Sequence, residues 1–167
     1  GANGTGTDAT FAYPQGLAVD ASGNIYVADT NNHSIRKITP GGVVTRLAGS
    51  DVVGGAPAYA DGTGTDAEFA YPEGLAFDTS GNIYVADSVN HSIRKVTPAG
   101  VVTTLAGNPV SPGPEDGTGT DAHFLYPYDV AIGPDGNIYV ADQANQLIRK
   151  ITPGGVVTTI AGTPGAT

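Results

Sequence analysis

The chain has no cysteine, no methionine and no tryptophan, and only seven of its 167 residues are Lys or Arg. Without thiols there is no disulfide framework, no cysteine-based zinc site and no cysteine nucleophile. Sixteen acidic residues against seven basic ones give a formal net charge of −9, a poor match to a nucleic-acid backbone or an anionic membrane. No apolar run approaches the roughly 18 residues that a transmembrane helix needs. The chain starts Gly1-Ala2-Asn3, without Met or an apolar leader, and reads as processed or trimmed. Glycine and proline are abundant, at 25 and 12 residues, well above their combined average of roughly 12%. Long helices are nearly excluded.

Self-similarity decides the architecture. Residues 4–49, 62–107 and 117–162 align without a gap, and the first two units differ at only nine positions. The third diverges further: Leu125 stands where the others have Ala12 and Ala70, Asp129 where they have Gly16 and Gly74, Gln146 where they have His33 and His91. Loops at 50–61 and 108–116 absorb the difference in spacing, as surface loops can.

Each unit is punctuated into four short strands. In the first unit, Gly16–Asp20 and Asn24–Asp29 flank a Ser-Gly turn, Ser34–Thr39 follows a turn at 30–33, and Val43–Ala48 follows Pro40-Gly41-Gly42. Pro40 cannot lie inside a central strand. The run Ile25-Tyr26-Val27-Ala28 lacks polar alternation, so both faces of its sheet are covered. Four-stranded units packed face against face are propeller blades, which makes the fold all-β: three four-stranded β-propeller blades per chain.

The motifs Gly16-Leu-Ala-Val-Asp, Gly23-Asn-Ile-Tyr-Val-Ala-Asp, Asn32-His33 and Ile35-Arg-Lys-Ile resemble the NHL repeat in all three units. So does the upstream segment at Asp61–Pro72 and Asp116–Pro127, from which unit one departs with Asn3 as its leading residue. The resemblance implies β-propeller blades, and a family that includes binding scaffolds and some metal-dependent enzymes. Fold alone does not assign an activity.

Propellers close with about four to eight blades, so three blades need a complement. The expected partner is a second copy, in a C2 homodimer with blade three of each chain on blade one of the other and six blades in the ring. Residues Thr163–Thr167 and Gly1–Asn3 nearly match the second inter-unit loop in length, so the gap between copies can be bridged without a covalent link. The near-identical units also resemble engineered symmetric propellers. A designed or excised half-propeller and a recently duplicated natural repeat would both look like this.

Candidate site residues fall at the blade turns and in the divergent third unit. Asp29, Asp87 and Asp142 end the second strand, with Asn32, Asn90 and Asn145 three residues on. They either accept backbone N–H bonds in the turn or, with His33 and His91, form an acidic rim for a cationic peptide, a carbohydrate or a metal. The histidines lie in equivalent turns of adjacent blades, roughly 10 Å or more apart by sheet spacing, too far to share a zinc ion. Asp61, Asp66, Asp116 and Asp121 weakly resemble a calcium-binding turn, but Phe69 and Phe124 fit better as plugs between blades. Period-two alternation places Arg36 opposite Val27 and Lys37 opposite Tyr26, and makes an inter-blade pairing with Asp plausible. Among the departures of unit three, Tyr128 and Asp129 are the first places to look for a specific site. No catalytic constellation is evident, so the expectation is a non-catalytic scaffold without a cofactor, an extracellular or periplasmic setting being slightly favoured. The rival is a fragment of a propeller enzyme, lyase-like or lactonase-like, with a metal in its central channel.

Overall fold

A computed structural model describes residues 1–50 and 58–165, so most of the first inter-unit loop and the last two residues of the tail lie outside it. Each repeat folds into its own antiparallel sheet. The first contains β1 (Gly4–Thr5), β2 (Pro14–Val19), β3 (Ile25–Asp29), β4 (Ser34–Ile38) and β5 (Val43–Ala48). The second contains β6 (Gly62–Thr63), β7 (Pro72–Phe77), β8 (Ile83–Asp87), β9 (Ser92–Val96) and β10 (Val101–Gly107). The third contains β11 (Gly117–Thr118), β12 (Pro127–Ile132), β13 (Ile138–Asp142), β14 (Leu147–Ile151) and β15 (Val156–Gly162).

The four expected strands of each blade are present, and the blade has one more. A two-residue strand from the start of each unit adds to the outer edge, with Gly4 opposite Val44 and Thr5 opposite Val43 in the first sheet. The expectation of four-stranded blades is corrected to five, because two residues are too few to carry an alternating pattern. The expected facing pairs Tyr26–Lys37 and Val27–Arg36 are observed in the register.

Local chemistry sets the hairpins. Asp20 Oδ1 accepts the N–H groups of Ser22 and Asn24 at 2.9 and 2.8 Å, and Asp78 repeats this with Ser80 and Asn82. These Asx turns reverse the chain between the first two long strands, and Gly23 takes the φ of +79° that the reversal requires. Blade three has Gly133 in place of the Asp, and Asp135 takes over by accepting from Asn137.

The first long strands, β2, β7 and β12, lie side by side at the inner edges of the sheets. Their close approach needs glycine: a Cβ on Gly16 would overlap the Glu73 carbonyl, and one on Gly74 would overlap Asp129. Two apolar cores fill the seams. Tyr26, Ala28 and Ile35 of blade one pack with Phe69, Leu75 and Ile83 of blade two. Tyr84, Ala86 and Ile93 of blade two pack in the same way with Phe124, Val130 and Ile138 of blade three. Phe69 and Phe124 thus sit between blades, both almost fully buried.

Candidate functional site

The strand-two carboxylates lie inside the blades. Asp29, Asp87 and Asp142 are fully buried, each paired with the arginine seven residues on, at 2.7 to 2.8 Å. Asp87 Oδ1 accepts the Ala70 N–H and Oδ2 accepts from Asn90 Nδ2 and Arg94 Nη1. Arg94 also donates to the carbonyls of Glu68 and Ala60 and to Asp61, and lies against the Phe69 ring. The pairing joins strands of one blade, and it ties the segment preceding the first long strand to that blade. It therefore replaces the inter-blade Arg–Asp pairing anticipated for the sequence. Burial pushes the Asp87 and Asp142 carboxyls above the usual range, against the pull of the guanidinium and the hydrogen bonds. In unit one Asn3 accepts from Arg36 where the other units use Asp61 and Asp116.

Asn32, Asn90 and Asn145 are buried with these carboxylates and donate to them. Of the four residues of the calcium-like turns, Asp61 and Asp116 are engaged by arginine, while Asp66 and Asp121 end exposed 3-10 turns. Among the described residues no three metal-ligating side chains converge.

The histidines couple neighbouring blades. His33 Nδ1 accepts the Tyr71 N–H at 3.1 Å, and His91 Nδ1 accepts that of Tyr126 at 3.2 Å. In each pair the rings meet edge to face, at 4.6 and 4.7 Å between centroids. All four residues have positive φ, an uncommon conformation for bulky side chains that surrounding contacts must hold in place. Burial keeps both imidazoles below their ordinary pKa of 6.5. The unfolded chain therefore binds protons more readily than the folded one. The stabilisation is complete above pH 6.5 and is lost as pH falls through the lowered folded values. The melting temperature of the chain is thus expected to drop more steeply between pH 7.5 and 5 than that of a His33→Gln/His91→Gln variant, measured by circular dichroism. Parallel pH profiles would contradict the coupling role.

The inner strands line a concavity of about 510 Å³. Gln15, Glu73 and Tyr128 occupy the same repeat position there, and they are three different residues. Tyr128 Oη donates to Gln15 Oε1 at 2.9 Å, from blade three to blade one. Glu73 Oε2 is buried without a hydrogen-bond partner among the described residues, and burial raises its pKa. Asp129 lines this concavity and also a groove on the outer face of blade three.

The two ends of the blade stack are unlike its interior. Leu17 is 65% exposed, whereas its counterpart Leu75 in blade two is 6% exposed. At the other end Ile148 is 43% exposed, whereas Ile35 and Ile93 are fully buried. Ala161 is exposed where Ala48 and Ala106 are buried. Blade one carries an apolar groove lined by Phe11, Pro14, Leu17, Val27 and Ile38, and the blade-three groove is lined by Val130, Ala131, Tyr139 and Ile148 among others.

The NHL repeat family model matches residues 11–38, 69–96 and 124–151, one blade centre each. The chain belongs to the NHL repeat family. It is 34% identical to the human NHL repeat-containing protein 2 over 84% of this chain and 21% of that protein. A solved structure from Bacteroides thetaiotaomicron, described as a protein of unknown function, is 31% identical with a TM-score of 0.69, covering 86% of this chain and 34% of that one. A virginiamycin B lyase from Staphylococcus aureus, 18% identical with a TM-score of 0.63 over 92% of this chain and 43% of the other, shares the fold alone. This NHL chain spans about a fifth or less of the length of the curated relatives it matches first.

One feature of the site escapes the sequence reading. The His–Tyr clasps join residues 35 to 38 positions apart with no periodic signal; only the recurrence of Tyr-Pro in all three units and of His in two hints at them. The concavity between the inner strands is legible in part, because Gln15, Glu73 and Tyr128 share one repeat position and differ in chemistry.

Proposed function

We propose that this NHL chain is a non-catalytic assembly scaffold that pairs with a second copy of itself, blade three of each on blade one of the other, closing a six-bladed ring. The observation that carries this reading is the contrast between equivalent residues: Leu17 and Ile148 are exposed where Leu75 and Ile93 are buried in the internal seams. The same side-chain types that make those seams recur on the open faces, so each end offers the surface that the other end needs. Two copies give six blades, within the range in which propellers close; three would give nine. The concavity between the inner strands, with Gln15, Glu73, Tyr128 and Asp129, is where a cationic peptide or a carbohydrate would be received.

A tandem duplication of the chain tests the ring. Joining the copies turns an encounter between molecules into an internal one, at an effective concentration of about a millimolar for a short linker. The duplicated chain is expected to melt higher than the 167-residue chain, with a midpoint independent of concentration, whereas that of the single chain rises on concentrating. A lower midpoint for the duplicate would count against a closed ring.

A further inference from the structure

We infer that the ring is latched by two clasps made between copies, each joining Gln146 of one copy to Tyr13 of the other; this rests on the head-to-tail pairing proposed above. Each internal seam has one clasp, in which a residue from the β3–β4 or β8–β9 turn accepts the N–H of the tyrosine that opens the next blade. The chain holds both halves of a third. Gln146 occupies the β13–β14 turn with φ +62°, beside +51° and +50° for His33 and His91. Tyr13 has φ +49°, beside +54° and +50° for Tyr71 and Tyr126.

Both halves are preformed and exposed. Tyr13 is 76% exposed, against 36% for Tyr71, and Gln146 is exposed where His33 and His91 are buried. A left-handed conformation in a bulky residue costs of order 1–3 kcal/mol and persists where the surroundings hold it. At the two ends of one chain those surroundings are incomplete. Blade three against blade one of a second copy supplies them.

The exchange of His for Gln changes the chemistry of the latch. The Gln146 amide oxygen can accept the Tyr13 N–H as an imidazole Nδ1 does, but it does not titrate. Asp142 is the charged group whose field reaches His91; Asp29 of the second copy holds that place at the latch, beside Tyr13. The internal seams are therefore acid-sensitive, and the seam between copies keeps its acceptor as pH falls.

The test is the dimer dissociation constant of the whole chain, measured by sedimentation on dilution at pH 7.5 and 5.5. Gln146→Gly removes the acceptor at a position whose positive φ suits glycine, so the blade itself should stay folded, which far-ultraviolet circular dichroism checks. About tenfold weaker pairing is expected at each seam, hence about a hundredfold for a ring with two seams. Gln146→His should pair as tightly as the parent at pH 7.5 and weaken at least about tenfold at pH 5.5, while the parent changes by less than about threefold. Dimers of unchanged affinity in Gln146→Gly, or no pH dependence in Gln146→His, would overturn the latch while leaving the head-to-tail pairing intact. A parent chain that stays monomeric throughout would overturn the pairing, and the latch with it.

Discussion

Leu17→Asp is expected to turn a dimer into a folded monomer. In one copy Leu17 is 65% exposed, so the substitution costs the separate chain little. In the proposed ring it would take the place that Leu75 has between blades, 6% exposed and within an apolar cluster. Burying an unpaired carboxylate there costs several kcal/mol, and it does so at both seams. Leu75→Asp places the same charge in an internal seam and should unfold the chain instead.

The opposite face gives a sharper result when the two variants are combined. Ile148→Asp should also yield a monomer, because its counterparts Ile35 and Ile93 are fully buried. A mixture of Leu17→Asp and Ile148→Asp chains can form a mixed dimer in which one seam carries both charges and the other is unaltered. Dimer should therefore reappear on mixing, more weakly bound than the parent. A blade-one to blade-one contact would leave Ile148→Asp dimeric from the start, and size-exclusion chromatography separates the two outcomes.

Arg94→Met is expected to destabilise the chain by about 3–5 kcal/mol, because it leaves the buried Asp87 without its counter-charge. The Glu68 and Ala60 carbonyls and Asp61 lose a donor as well. Against the total of about 5–15 kcal/mol typical of a folded domain, the loss leaves little margin. Arg94→Lys should recover only part of it, since one ammonium cannot span acceptors that the two guanidinium nitrogens reach separately. A second change, Asp87→Asn, should restore part of the stability lost in Arg94→Met, because it removes the stranded charge. Denaturant midpoints measure all of these; a shift worth under about 1 kcal/mol for Arg94→Met would show the pair to be dispensable.

The repeat makes the blades legible in the sequence. Gly23, Gly81 and Gly136 mark the hairpin turns, and the uninterrupted Ile-Tyr-Val-Ala runs mark strands covered on both faces. The outer strands Gly4–Thr5, Gly62–Thr63 and Gly117–Thr118 were not legible, since two residues show no period and their pairing depends on tertiary contact. The Arg–Asp pairs show the same limit. Alternation located Arg36 opposite Val27, yet a guanidinium long enough to reach along the sheet meets Asp29 in its own blade. Divergence from the repeat points to two places in the structure. Tyr128 and Asp129 line the concavity between the inner strands, and Gln146 stands on the open face of blade three where the other units have His33 and His91.

The central claim is that the open faces of blades one and three belong against each other in two copies. Sedimentation equilibrium of the purified chain at micromolar concentration tests it most directly. The predicted species is a single dimer with twice the 16.7 kDa chain mass. A well-folded monomer of 16.7 kDa across the whole concentration range would contradict it.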